Sequence, residues 1–176
     1  IGAFGIVNRL VFIVVMIVMG LNQGMQPIAG YNFGAKLYGR VNKVLRLTII
    51  YATAVTTFGF LVGMLVPDLV VGIFTSDAEL TELSVTGLRI TVMFFPIIGF
   101  QMVTSNFFQS IGMAGKAIFL SLTRQMLILL PCLLVLPQFF GVAGVWYSMP
   151  VSDLLASLIA LVMLVCQFRK FRTSPL

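Results

Sequence analysis

Five times along its 176 residues this chain runs apolar for long enough to cross a bilayer, and no water-soluble fold accommodates that. Several runs exceed ~18 residues, the length that marks a membrane-spanning helix. Charged residues make up 9% of the chain and hydrophobic ones 60%, whereas a soluble domain carries about 25% charged residues. That leaves too little polar surface to cover a globule in water. A membrane β-barrel would show alternating segments of about ten residues, and these are absent. Val and Ile crowd the first run at 10–19 and favour a strand in water. In hydrocarbon every backbone hydrogen bond must close within its own segment, so helix wins. The chain reads as an all-α, polytopic helical membrane protein.

The runs predict spans at roughly 4–30, 44–74, 85–112, 117–139 and 145–168. Pro96 lies inside the third and predicts a kink there, since proline removes a backbone hydrogen bond. Pro67 falls near the end of the second span, and Pro131 and Pro137 fall in the fourth. The polar loop at 75–82 opens a helix, with Ser76 as its N-cap and Glu79 three residues on as in a capping box. Five alternating spans put Lys36, Arg40, Lys43, Arg46, Lys116, Arg124, Arg169, Lys170 and Arg172 on one side. Asp68, Asp77, Glu79, Glu82 and Asp153 fall on the other. The positive-inside rule makes the basic side, with the C-terminus, cytoplasmic. The chain opens at Ile1 directly on apolar sequence with no basic n-region, so we expect it to be a piece of a longer protein.

Enzyme chemistry is not expected. There is no histidine, the commonest general base and metal ligand, and no nucleophile triad, phosphate loop or metal motif. Cys132 and Cys166 sit in apolar runs and read as core thiols. The basic residues lie at the ends of apolar runs, which suits a membrane surface and not nucleic acid. Polar groups within the spans are more telling. Gln101, Ser105 and Gln109 recur every four residues and share one helix face, with Asn106 beside it. Asn22 and Gln26 share a face, as do Ser121 and Gln125. Two readings stay open for these faces: interhelical hydrogen bonds, averaging ~0.6 kcal/mol each, or the wall of a wet cavity. Arg89 and Asp153, near the outer ends of their spans, are a candidate ion pair, or each snorkels to the headgroups. No acid is expected at the middle of a span, and Asp153 alone is a candidate for carrying H⁺ or Na⁺. Ten Met and sixteen Phe suit a pocket for apolar cations, although most should serve packing.

The stretch in which the first apolar run ends and the basic loop begins is Gly20-Leu21-Asn22-Gln23-Gly24-Met25-Gln26-Pro27-Ile28-Ala29-Gly30-Tyr31-Asn32-Phe33-Gly34-Ala35-Lys36. Together with Asn106-Phe107-Phe108-Gln109-Ser110-Ile111-Gly112, Ser121-Leu122-Thr123-Arg124-Gln125, Phe140-Gly141-Val142-Ala143-Gly144-Val145-Trp146 and Pro150-Val151-Ser152-Asp153, it resembles the multidrug and toxic compound extrusion (MATE) transporters, bacterial members above all. The resemblance implies a twelve-helix protein of two six-helix lobes, of which 1–176 would be helices eight to twelve of the C-terminal lobe. It implies a secondary-active exporter of organic cations in the bacterial cytoplasmic (inner) membrane, exchanging drug for H⁺ or Na⁺ and using no other cofactor and no metal. Its partners would be membrane lipid, the missing N-terminal lobe and the cationic substrates. The alternatives are a flippase for lipid-linked precursors, from the same superfamily, and a non-transporting membrane scaffold. One branch of the family couples through an aspartate in the tenth helix, and here that span holds Gln101 and Asn106 instead. Gln101, Ser105, Asn106 and Gln109 are the candidate cavity lining. Asn22, Gln23, Gly24, Gln26, Pro27, Gly30 and Gly34 read as a structural and gating motif at the cytoplasmic mouth, whose glycines allow close helix approach.

Overall fold

A computed structural model describes residues 2–173, and the apolar runs are helices, as closure of backbone hydrogen bonds in hydrocarbon requires. The chain forms α1 (Gly2–Gly34), α2 (Tyr38–Leu65), α3 (Pro67–Gly72), α4 (Ala78–Val92), α5 (Phe95–Ser110) and α6 (Ala114–Leu122). A π segment (Thr123–Leu129), α7 (Leu130–Phe140) and α8 (Val142–Thr173) complete it. Four stretches are long and apolar enough to cross a membrane: Gly2–Gly34, Tyr38–Leu65, Ala114–Phe140 and Val142–Arg169. Helices α4 and α5, third in chain order, are long and apolar enough only when taken together, and they are bent by 54° to each other. The side chains of Lys170, Phe171 and Arg172, in the predicted basic tail, lie outside the described residues.

Proline sets most of the breaks. Pro96 opens α5 and the 54° bend lies just before it, the kink expected of a residue with no N–H for the helix ladder. Pro67 ends the second span earlier than expected, because it starts the short helix α3. At a first helical position its missing N–H is not needed. Pro131 lies just beyond the π segment. It cannot donate to Leu127 and its ring crowds that carbonyl, and wider turns over the preceding residues relieve both effects. The third span begins at Ala78, and its N-cap is Asp77, not Ser76. Asp77 Oδ1 accepts from the backbone N–H of Glu79 at 3.0 Å and of Leu80 at 3.2 Å. A carboxylate there also faces the positive end of the helix dipole.

Side-chain contacts tie the helix ends into two layers. At the basic end, the Lys116 ammonium donates to Gln167 and lies 5.2 Å from the Phe108 ring centre. At the acidic end, Trp146 of α8 packs against Phe4 of α1, with ring centres 5.7 Å apart and planes tilted by 52°. Its indole fills the notch left by Gly87 of α4. Two buried clusters match the two ends. Met25, Leu45, Phe107, Phe108 and Leu120 belong to the basic half, and Val7, Leu88, Val92 and Phe95 to the acidic half. Met102 packs against both.

A Cβ at residue 87 would come within 2.5 Å of the Trp146 ring, and overpacking of this kind costs ~1–3 kcal/mol. Gly87→Val should therefore lower the melting temperature of the detergent-solubilised protein. Gly87→Val combined with Trp146→Leu should recover part of the loss.

Candidate functional site

Helix α1, the bend between α4 and α5, the π segment and α8 surround a cavity of about 440 Å³. Val11, Phe12, Phe95 and Met102 make much of its wall apolar. Polar groups converge on it from Asn8, Thr91, Arg124, Gln125, Ser152 and Asp153. Arg124 Nε donates to Asp153 Oδ1 at 2.8 Å, and the two side chains are 36% and 8% exposed. At ~1.5 Å per residue Asp153 lies about 16 Å from Val142, and Arg124 about 15 Å from Ala114. A hydrocarbon core is ~30 Å thick, so the pair sits near its middle.

Local structure explains how two charges meet there. The π segment begins at Thr123, one residue before Arg124, and an extra residue in a turn rotates the rest of the helix by ~100° relative to a regular one. Ser121 and Gln125 serve different neighbours. Ser121 Oγ lies 3.4 Å from Ser105 Oγ on α5, and Gln125 lines the cavity. Thr123 Oγ1 is buried with no hydrogen-bond partner. On α8, the hydroxyl of Ser157 donates to the Asp153 carbonyl at 2.6 Å, bracing the turn that carries the carboxylate. Removing Arg124 would leave the buried Asp153 carboxylate without its partner, a cost that solvent reaching the one-third-exposed arginine side partly screens.

The expected pair of Arg89 with Asp153 is not formed. Arg89 is exposed on α4, and Asp153 is taken by Arg124. Arg124 is not at the basic surface, nor is Asp153 near the outer one. The acid expected to be absent from mid-span is therefore present. Arg124 as its partner, Asn8 and Thr91 in the wall, and exposed Arg9 beside Asn8 were all missed. Counting residues inward from the turn at Gly112 would have placed Arg124 deep in its span.

None of Gln101, Ser105, Asn106 and Gln109 lines this cavity. Gln101 is buried, Ser105 and Asn106 are half-buried, and Gln109 is exposed. Asn106 Oδ1 accepts from Gln26 Nε2 at 3.3 Å, and its Nδ2 donates to the Met102 carbonyl at 2.9 Å. The stripe on α5 thus meets the glycine-rich stretch of α1 and the start of the fourth span. Within 20–36, Gln23, Gly24, Pro27 and Gly34 are exposed. Asn22 is buried, and neither its Oδ1 nor its Nδ2 has a partner. Close approach is confined to one of the three motif glycines. A Cβ on Gly30 would lie 2.9 Å from the Ser110 carbonyl oxygen, while Gly24 and Gly34 face open space.

Gly30→Leu should accordingly lower the melting temperature markedly, and Gly24→Leu should leave it nearly unchanged. Asn22→Leu should raise stability by about 1 kcal/mol, since it removes a buried amide whose desolvation is uncompensated. Thermal unfolding of the three variants in one detergent checks all three outcomes.

The MatE family model matches residues 1–134. The multidrug export protein MepA of Staphylococcus aureus (strain MSSA476) is 27% identical over 161 residues, 92% of this chain and 35% of that protein. MepA of Staphylococcus saprophyticus is 24% identical over the same shares. The chain thus spans about a third of the length of these relatives. Among solved structures, the MATE multidrug transporter DinF-BH is 37% identical, with a TM-score of 0.87 over 97% of this chain and 38% of that one. An outward-facing multidrug resistance MATE family transporter of the MOP superfamily, 18% identical, shares the fold, with a TM-score of 0.90 over 98% of this chain and 39% of that one. With bent and continuous spans in the same order and a family match over most of its length, this chain belongs to the MatE family.

Proposed function

We propose that the whole protein is a secondary-active multidrug exporter. In this reading the chain supplies five of the six helices of its C-terminal lobe, facing a second lobe. The supporting observation is the Arg124–Asp153 pair in the wall of the mid-membrane cavity, together with likeness to proteins named as multidrug exporters. The lobe would rock against its partner to open alternately to either side. The basic end would face the cytoplasm of a bacterial cell, with the protein in the inner membrane. A cavity with one cation and one anion suits this better than a flippase for lipid-linked anions, which calls for a net positive wall.

We assign H⁺ as the coupling ion. A Na⁺ at Asp153 would meet the guanidinium 2.8 Å from the same carboxylate. A proton instead removes the negative charge and frees Arg124, uncoupling α8 from the π segment. Only such a change, with different free energy in the two states, can shift a conformational equilibrium.

Full-length protein in proteoliposomes should export ethidium when driven by an imposed pH gradient and not when driven by a Na⁺ gradient. Asp153→Asn should cut that rate at least about tenfold, because the proton-dependent link between Arg124 and Asp153 that would bias the two states is lost, while folded protein is still recovered. Unchanged export by Asp153→Asn would remove Asp153 from the mechanism. Failure to export any cationic dye under either gradient would remove the function itself. The chain 1–176 alone should not transport.

A further inference from the structure

A second concave surface lies away from the ion pair. Helices α2 and α8 line a groove of about 610 Å³ at the basic end of the bundle. Its polarity is graded along its length. Tyr38, Asn42 and Arg46 follow at every fourth residue and share one face of α2, and Arg169 stands opposite on α8. One turn further into the membrane the wall becomes Ile50 and Val165. Among the described residues no carboxylate lines it. Two arginines with hydroxyl and amide donors at headgroup depth, above an aliphatic floor, match one kind of molecule. That molecule carries a phosphodiester anion and hydrocarbon chains.

We infer that this groove is a binding site for an anionic phospholipid, with the phosphodiester between Arg46 and Arg169 and an acyl chain along Ile50 and Val165. Guanidinium groups present forked donors to phosphate oxygens, and basic pockets between membrane helices recruit anionic headgroups. A free phosphate would share the arginines but leave the aliphatic floor uncovered, so the site is assigned to lipid. Placement in the cytoplasmic leaflet rests on the proposed orientation of the exporter. Binding itself does not, so it can be measured whether or not the protein exports drugs.

The test is native mass spectrometry of the full-length protein titrated with phosphatidylglycerol and with phosphatidylcholine of the same acyl chains. Phosphatidylglycerol should be retained about tenfold more strongly. Arg46→Gln with Arg169→Gln should abolish that preference, since each surface cation contributes roughly a fivefold factor, without lowering the melting temperature. Arg40→Gln with Lys43→Gln, on the same basic end but outside the groove, should leave retention unchanged. Excess inorganic phosphate should not displace the lipid. Four outcomes would each overturn the assignment. Equal retention of phosphatidylcholine, which has the same phosphodiester and chains but no net charge, would mean that the groove does not select an anionic lipid. Undiminished retention by Arg46→Gln with Arg169→Gln would exclude the two arginines. Equal loss in the Arg40 and Lys43 variant would mean diffuse charge, and displacement by phosphate would mean an anion site only.

Discussion

Hydrocarbon offers no water to a broken backbone hydrogen bond, so each irregularity in these helices has to be answered from within the bundle. The chain does this with hydroxyls and with adjusted turns. Thr56, Thr91, Thr104, Ser148 and Ser157 each donate to the carbonyl four residues before them. Such back-bonding satisfies the hydroxyl without a partner helix and bends the helix slightly. Where proline removes a donor, the chain bends by 54° at Pro96 or widens into a π segment before Pro131. The two most irregular places in the backbone, that bend and that π segment, both border the same cavity.

That coincidence gives the lobe its internal division. The apolar clusters of the basic and acidic halves are joined through Met102, which also lines the cavity. Beside this junction sit Arg124 and Asp153. Two charges at mid-depth are tolerated because each answers the other, and a charge without a partner there is expensive. The pair also ties α8 to the π segment, the part of the fourth span with the least regular hydrogen bonding. An ion pair is well suited to this place because its strength depends on one proton, whereas packing contacts do not.

The spans were legible in the sequence because length and hydropathy are enough to fix them once water is excluded. The kink at Pro96 was legible for the same reason, since a missing N–H has no remedy in lipid. Register was harder. Asp77 and Ser76 are both good caps, and only the geometry of the loop chose the carboxylate. Gly24, Gly30 and Gly34 look alike in sequence, and only Gly30 meets a carbonyl of α5. The cavity was the least legible part. Sorting charges by side assigned Arg124 and Asp153 to opposite surfaces, because it treats every charge in a span as belonging to the nearer end. They pair with each other instead, and neither that pairing nor the π segment around Arg124 leaves a mark in hydropathy.

The polar stripe on α5 shows the converse. Regular four-residue spacing correctly places Gln101, Ser105 and Gln109 along one side of a helix, yet spacing alone does not say what faces it. Asn106 meets Gln26 and Ser105 meets Ser121, so part of the stripe bonds neighbouring helices. The side of α5 that reaches the cavity carries Phe95, Ile98 and Met102 instead. The charge at the cavity comes from the π segment and α8, while α5 packs into both apolar clusters. An apolar, well-packed helix beside a paired charge means that, in the proposed proton-coupled exporter, one proton would act on the pair and not on the core around it.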